Sequence, residues 1–142
     1  SGPLSFNRQP GFRSPMLVTS IGITYLAFCE EDERQRIIKL LASTPGDWNQ
    51  LAHEPERLNR LLEQVRQDSF AVMSDEYSSN VFASNVWAIG VPVMHDGKLF
   101  ATMNVMLLRS AVSLAEARKT LLPPLQEAAA EIARNLAESQ RH

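Results

Sequence analysis

Two long apolar runs, 86–94 and 98–108, flank His95-Asp96-Gly97. No other feature limits the fold of this chain as strongly. Asp-Gly between two extended runs signals a hairpin. An antiparallel pair joined so tightly excludes a sheet built only from parallel βαβ units. Side chains alternate along a strand, so the pairing register decides which residues share a face. A two-residue turn pairs His95 with Lys98 and sets Thr102 and Asn104 among Trp87, Ile89 and Val91. A three-residue loop with Gly97 left-handed pairs Met94 with Lys98. It gathers Trp87, Ile89, Val91 and Val93 with Leu99, Ala101, Met103 and Val105 on one apolar face. The opposite face then carries Val86, Ala88, Gly90 and Pro92 with Phe100, Thr102, Asn104 and Met106. Segregation of the faces selects the three-residue loop, and the small, mixed face leaves room for a ligand.

Upstream, the period is mostly helical. Leu4-Ser5-Phe6 alternates and predicts a short strand, and Pro15–Leu17 predicts an extended piece. Thr19 or Ser20 is the expected N-cap of a helix over Ile21–Cys29, apolar nearly all round and therefore buried on most sides. A second helix is expected over Glu30–Leu41. Ile37, Ile38, Leu40 and Leu41 should face inward, with Arg34, Arg36 and Lys39 solvated. Thr44-Pro45-Gly46-Asp47 breaks it. Leu58, Leu61, Leu62 and Val65 form the stripe of a third helix over Glu54–Asp68, opened by Pro55. Phe70–Met73 reads as a strand. Ser74–Ser84 reads as irregular, anchored by Tyr77, Val81 and Phe82. Ser113 and Glu116 form a capping box for a last helix reaching Glu138, interrupted at Pro123-Pro124. Helices followed by an antiparallel hairpin make the fold α+β.

Length and charge exclude whole classes. At 142 residues one domain is expected. A net charge of −2 offers no basic excess for nucleic-acid phosphates. No apolar run reaches a membrane span, and the first twelve residues lack a signal peptide's apolar core. The single cysteine, Cys29, excludes an internal disulfide and fits a reducing compartment, so a cytoplasmic location is expected. Without an initiator Met, and with a strand at its start, the chain reads as part of a longer protein.

The residues show no catalytic constellation. His53, His95 and His142 have no ligand spacing, so no metal is expected. Asp75-Glu76 point to opposite sides if extended. Cys29 sits in an apolar helix, and no glycine-rich phosphate loop occurs, so no cofactor is expected. Two places suggest binding. Thr19-Ser20 opens a helix whose free N–H groups attract an anion such as a carboxylate, or simply caps that helix. Thr102 and Asn104 interrupt an apolar strand, where a polar side chain must be hydrogen-bonded or solvated. Together they fit a small, mostly apolar molecule with one acidic end.

The same segments carry a family resemblance. Ser14-Pro15-Met16 through Ser20-Ile21-Gly22, Tyr25-Leu26-Ala27-Phe28, Ile89-Gly90-Val91-Pro92-Val93 with Asp96-Gly97, and the tail from Leu121-Leu122-Pro123-Pro124 to Ile132 resemble the effector-binding domain of IclR-type bacterial transcriptional regulators. GITYLAFC, LASTPGDWNQLAHEP and LLPPLQ are most similar to the subgroup regulating hydroxyphenylpropionate and related aromatic-acid catabolism. The resemblance implies a GAF-like (profilin-like) fold, an antiparallel sheet flanked by helices, with its first elements and a winged helix-turn-helix domain missing from this chain. It implies a non-enzymatic sensor that binds a small organic acid, forms dimers or tetramers, and touches DNA only through the missing domain. By position it implies pocket residues Ser14, Met16, Ser20, Ile21, Val86, Ala88, Asn104 and Met106. An acidic residue that some members place near Met73 has no counterpart here, and Met16, Val86 and Met106 favour an apolar effector body. A small GAF-like enzyme acting on an acidic metabolite, or a dimerisation module with a collapsed pocket, are the alternatives.

Overall fold

The computed structural model describes residues 15–140. The strand expected at Leu4–Phe6 lies outside them. The elements run α1 (Ser20–Phe28), α2 (Glu31–Ala42), a 3-10 turn η1 (Gln50–His53), α3 (Pro55–Asp68), β1 (Ala71–Val72), α4 (Asp75–Phe82), β2 (Val86–His95), β3 (Lys98–Leu108), α5 (Leu114–Thr120) and α6 (Leu122–Ser139). The sheet is antiparallel in the order β1-β2-β3. The fold is α+β, with helices on both faces of the sheet, as a GAF-like domain requires.

The first core cluster lies on the α1 side, where Ile23, Leu26 and Ala27 meet Leu58, Leu62 and Val65 of α3. The second lies on the opposite face, where Trp87, Ile89, Val91 and Val93 meet Ala129 and Ala133 of α6. The apolar face therefore carries helices, as its composition demands. The smaller face is covered too. Gly90 lets α1 lie directly on β2, since a Cβ there would stand 2.7 Å from the Ser20 carbonyl oxygen.

The hairpin reaches this segregation by a different device from the one expected. His95 pairs with Lys98 across a two-residue turn, and Asp96 and Gly97 both have positive φ (50° and 79°). That is the left-handed pair of a type I′ turn. The unwanted parity is corrected one step later. Met94 pairs with Leu99 but Val93 with Ala101, so Phe100 is an extra residue on β3. This bulge places Trp87, Ile89 and Val91 opposite Leu107, Val105 and Met103. It also exchanges the two residues beside it: Leu99 packs with the α1 cluster and Phe100 with the α6 cluster.

Four local expectations are overturned. Met16–Val18 is a turn, not an extended piece. In α2, Leu40 is 63% exposed, whereas Arg34 is only 8% exposed because its guanidinium reaches back to the end of α1. The Phe70–Met73 strand shrinks to a two-residue ladder at Ala71–Val72. Ser74–Ser84 contains a helix, α4. Ser74 caps it by accepting from the Tyr77 N–H, and Ala83 and Ser84 end it in the left-handed region. Tyr77 and Phe82 are half-buried, but Val81 is exposed. The tail divides as the prolines predict: Ser113 caps α5, and Pro123-Pro124 occupy the first turn of α6.

Candidate functional site

α1 starts where the chain turns beneath it. Thr19 is the N-cap: its Oγ1 accepts from the Gly22 N–H (3.2 Å) and donates to the Pro15 carbonyl (2.7 Å). Gly22 is required because a Cβ would fall 2.3 Å from the Met16 carbonyl oxygen. The Ile23 N–H bonds the Thr19 carbonyl. Among the described residues the N–H groups of Ser20 and Ile21 have no partner, and no acidic side chain stands in the first turn of α1. The positive end of the helix thus lacks an anionic partner among the described residues.

The structure divides the expected site residues between the two flanks of this helix start. Met16 and Ile21 line a cavity of about 690 Å³, a volume within the ~300–1,000 Å³ of small-molecule sites. Thr19 and Tyr25 share that wall, and Ile37, Leu40 and Leu41 of α2 form another. Thr102 of β3 joins the lining, so one of the two polar strand residues reaches it. The loop after α2 adds Asp47, Trp48 and Asn49. The sequence marked this loop only as a helix breaker. Trp48 is fixed edge-on to Tyr77 of α4, with ring centroids 5.0 Å apart.

The other candidates lie toward the sheet. Ser20 is fully buried, and its Oγ accepts from Asn104 Nδ2 at 3.5 Å. Two small polar side chains in contact therefore close the gap between α1 and β3. Ala88 is fully buried and paired with Met106, which is 48% exposed. The Val86 carbonyl accepts from Ser78 Oγ of α4. Ser14 lies outside the described residues. Beside this strip, Thr24 Oγ1 is buried without a hydrogen-bond partner, and a Cβ at position 90 would come within 2.7 Å of it.

The opposite end of α1 is closed. Arg34 Nε donates to the Leu26 carbonyl (2.8 Å), and its terminal nitrogens reach the Cys29 carbonyl (2.6 Å) and Glu31. Arg66 Nε donates to the Ala27 carbonyl at 2.8 Å. Burial pushes the Cys29 thiol up from its ordinary pKa, which disfavours the thiolate a nucleophile needs. No group of three His, Cys, Asp or Glu is arranged to hold a metal among the described residues. No described helix is long and apolar enough to cross a membrane.

Solved structures share this fold. A transcriptional-regulator chain from Rhodococcus sp. RHA1 matches with a TM-score of 0.69 at 22% identity, over 97% of this chain and 54% of that one. The inducer-binding domain of PobR from Acinetobacter, a double mutant in complex with 3-hydroxybenzoic acid, matches with a TM-score of 0.65 at 25% identity, over 87% of this chain and 69% of that one. An IclR homologue from Microbacterium hydrocarbonoxydans, complexed with 4-hydroxybenzoate, matches with a TM-score of 0.60 at 19% identity, over 95% of this chain and 51% of that one. The Rhodococcus and Microbacterium matches bear on the fold alone, and this chain spans about half the length of each. The family described as bacterial transcriptional regulator IclR C-terminal matches residues 4–134. That is a family of regulator domains rather than of enzymes, so the enzyme alternative falls. The turn beneath α1, the glycine it requires, the hairpin and the match over nearly the whole chain lead to one conclusion: this chain belongs to the IclR C-terminal domain family of bacterial transcriptional regulators.

Proposed function

We propose that this domain senses a small organic acid with an aromatic body, in the manner of regulators of hydroxyphenylpropionate and related aromatic-acid catabolism. The carrying observation is that a double mutant of the PobR inducer-binding domain, similar over 87% of this chain at 25% identity, holds 3-hydroxybenzoic acid. The geometry supports the reading. The open N–H groups of Ser20 and Ile21 suit a carboxylate, and the adjoining cavity suits a ring. In this reading Ser14, Met16, Ser20, Ile21, Val86, Ala88, Asn104 and Met106 form the effector site, with Asn104 holding Ser20. Binding acts on pairs or tetramers of such domains in the cytoplasm. It thereby controls DNA contact by a winged helix-turn-helix domain elsewhere in a longer protein.

The test is thermal unfolding with hydroxylated benzoates, cinnamates and phenylpropionates. At about a hundredfold excess over Kd, a ligand of the native state adds about 2.7 kcal/mol, so the transition should move up by several degrees. Ser20→Ala and Asn104→Leu should each weaken binding severalfold, because each removes the neutral Asn104–Ser20 hydrogen bond that holds the helix start against β3, with folding retained. No shift with any acid, together with blank calorimetry, defeats the aromatic-acid reading.

A further inference from the structure

The lining of the 690 Å³ cavity has an asymmetry in charge that the effector reading does not use. Its one charged side chain among the described residues is Asp47, and no Lys, Arg or His joins it. Asp47 is in none of the ion pairs among the described residues. It stands in the loop that follows Ala42, the last residue of α2. Asn49 holds the loop in shape by donating from Nδ2 to the Thr44 carbonyl at 3.1 Å. The apolar walls from Ile21, Ile37 and Leu41 can take a ring, and the one charged group beside them among the described residues is an acceptor.

We propose that Asp47 sets effector specificity: it selects acids whose ring carries a hydrogen-bond donor, a hydroxyl or an amino group, and rejects acids carrying a second carboxylate. The inference rests on the effector reading above. A ligand that puts its carboxylate on the Ser20 and Ile21 N–H groups places its other end in a cavity with no cation among its described lining residues. A bare ring there takes water from the Asp47 carboxylate and returns nothing. A phenol or aniline N–H replaces that water with a charge-assisted hydrogen bond. A second carboxylate meets Asp47 as a like charge, with no cation among the described residues of this lining to neutralise either. Asp47 is exposed, so solvent screens these effects and they stay moderate.

The test is calorimetric titration of the 142-residue chain with benzoate, 3-hydroxybenzoate, 3-aminobenzoate and benzene-1,3-dicarboxylate, and with the matching phenylpropionates. The hydroxy and amino acids should bind about tenfold more tightly than the bare acid, the scale of one such hydrogen bond, and the diacid most weakly. Asp47→Asn should keep the preference for the hydroxyl and bring the diacid severalfold closer. Asp47→Leu should abolish the preference for the hydroxyl, with circular dichroism confirming the fold of both variants. Unchanged ratios in both variants, or a diacid that binds the parent chain as tightly as the hydroxy acid, overturn the role of Asp47 alone. Absence of binding by every acid to the parent chain overturns the effector reading, and the selectivity with it.

Discussion

At the C-terminal end of α1 the carbonyls of Leu26, Ala27 and Cys29 receive two guanidinium groups, one of them buried. At the N-terminal end a single threonine caps the helix, no acidic side chain balances the dipole, and two N–H groups are left open among the described residues. Every helix leaves such groups at both ends. Here the molecule satisfies one set from within and leaves the other beside a cavity. The closed end therefore belongs to stability, and the other end is the one the proposed effector would use.

Breaking the closed end should have the largest effect. Arg34→Met leaves the Cys29 carbonyl without its guanidinium donor and the Leu26 carbonyl with only the weak Cys29 thiol donor in a buried setting, and should cost about 3 kcal/mol in urea unfolding. Arg34→Lys should recover only part of this, because one ammonium cannot span both carbonyls as the planar fork does. Equal stability of the parent and both variants would show that the end is not held by this side chain. At the open end, Thr19→Val keeps the volume and removes the cap, so the expected cost is about 1 kcal/mol. A larger loss than for Arg34→Met would invert the comparison.

The smallest effect concerns pH. The Tyr25 hydroxyl donates to Glu33 Oε2 at 2.5 Å and ties α1 to α2. That bond, then burial and the Glu33 charge, push the phenol up from 10.0 to about 12. The native state thus holds this proton more tightly than the unfolded chain does. The added stability is complete below pH 10 and drains away as pH rises toward about 12. Absorbance titration should show one late phenol that Glu33→Gln brings back toward the ordinary range. A titration unchanged by that substitution would place the cause elsewhere.

Periodicity and capping disclose what is local. The bounds of α1, α2 and α3, the Thr19 cap, the split at Pro123-Pro124 and the two hairpin faces all follow from residues a few places apart. What the sequence hides depends on distant partners. Arg34 sits among charged neighbours that read as a solvated face, and only the carbonyls of the preceding helix explain its burial. α4 is an octet of mixed composition without a clear apolar stripe, and Ser78 secures it through the Val86 carbonyl. Of the candidate site, Met16 and Ile21 were legible and do line the cavity. Asp47 and Trp48 were not, because breaker residues show where a helix stops and not where the following loop returns.

The bulge at Phe100 also sets what kinds of change this hairpin can absorb. A substitution at Phe100 alters its packing on the α6 cluster and the approach of its ring to Lys98 Nζ, 5.0 Å away. Removal of the residue leaves Met94 opposite Leu99 and Val93 opposite Ala101 in a ladder without a bulge, so every later pair and both faces survive. Removal of a residue farther along β3, such as Met103, is different in kind. Asn104 would then fall opposite Val91, and Val105 opposite Gly90, under α1. The loss of a single codon at position 100 is absorbed, while the loss of one a few places later rewrites both layers at once.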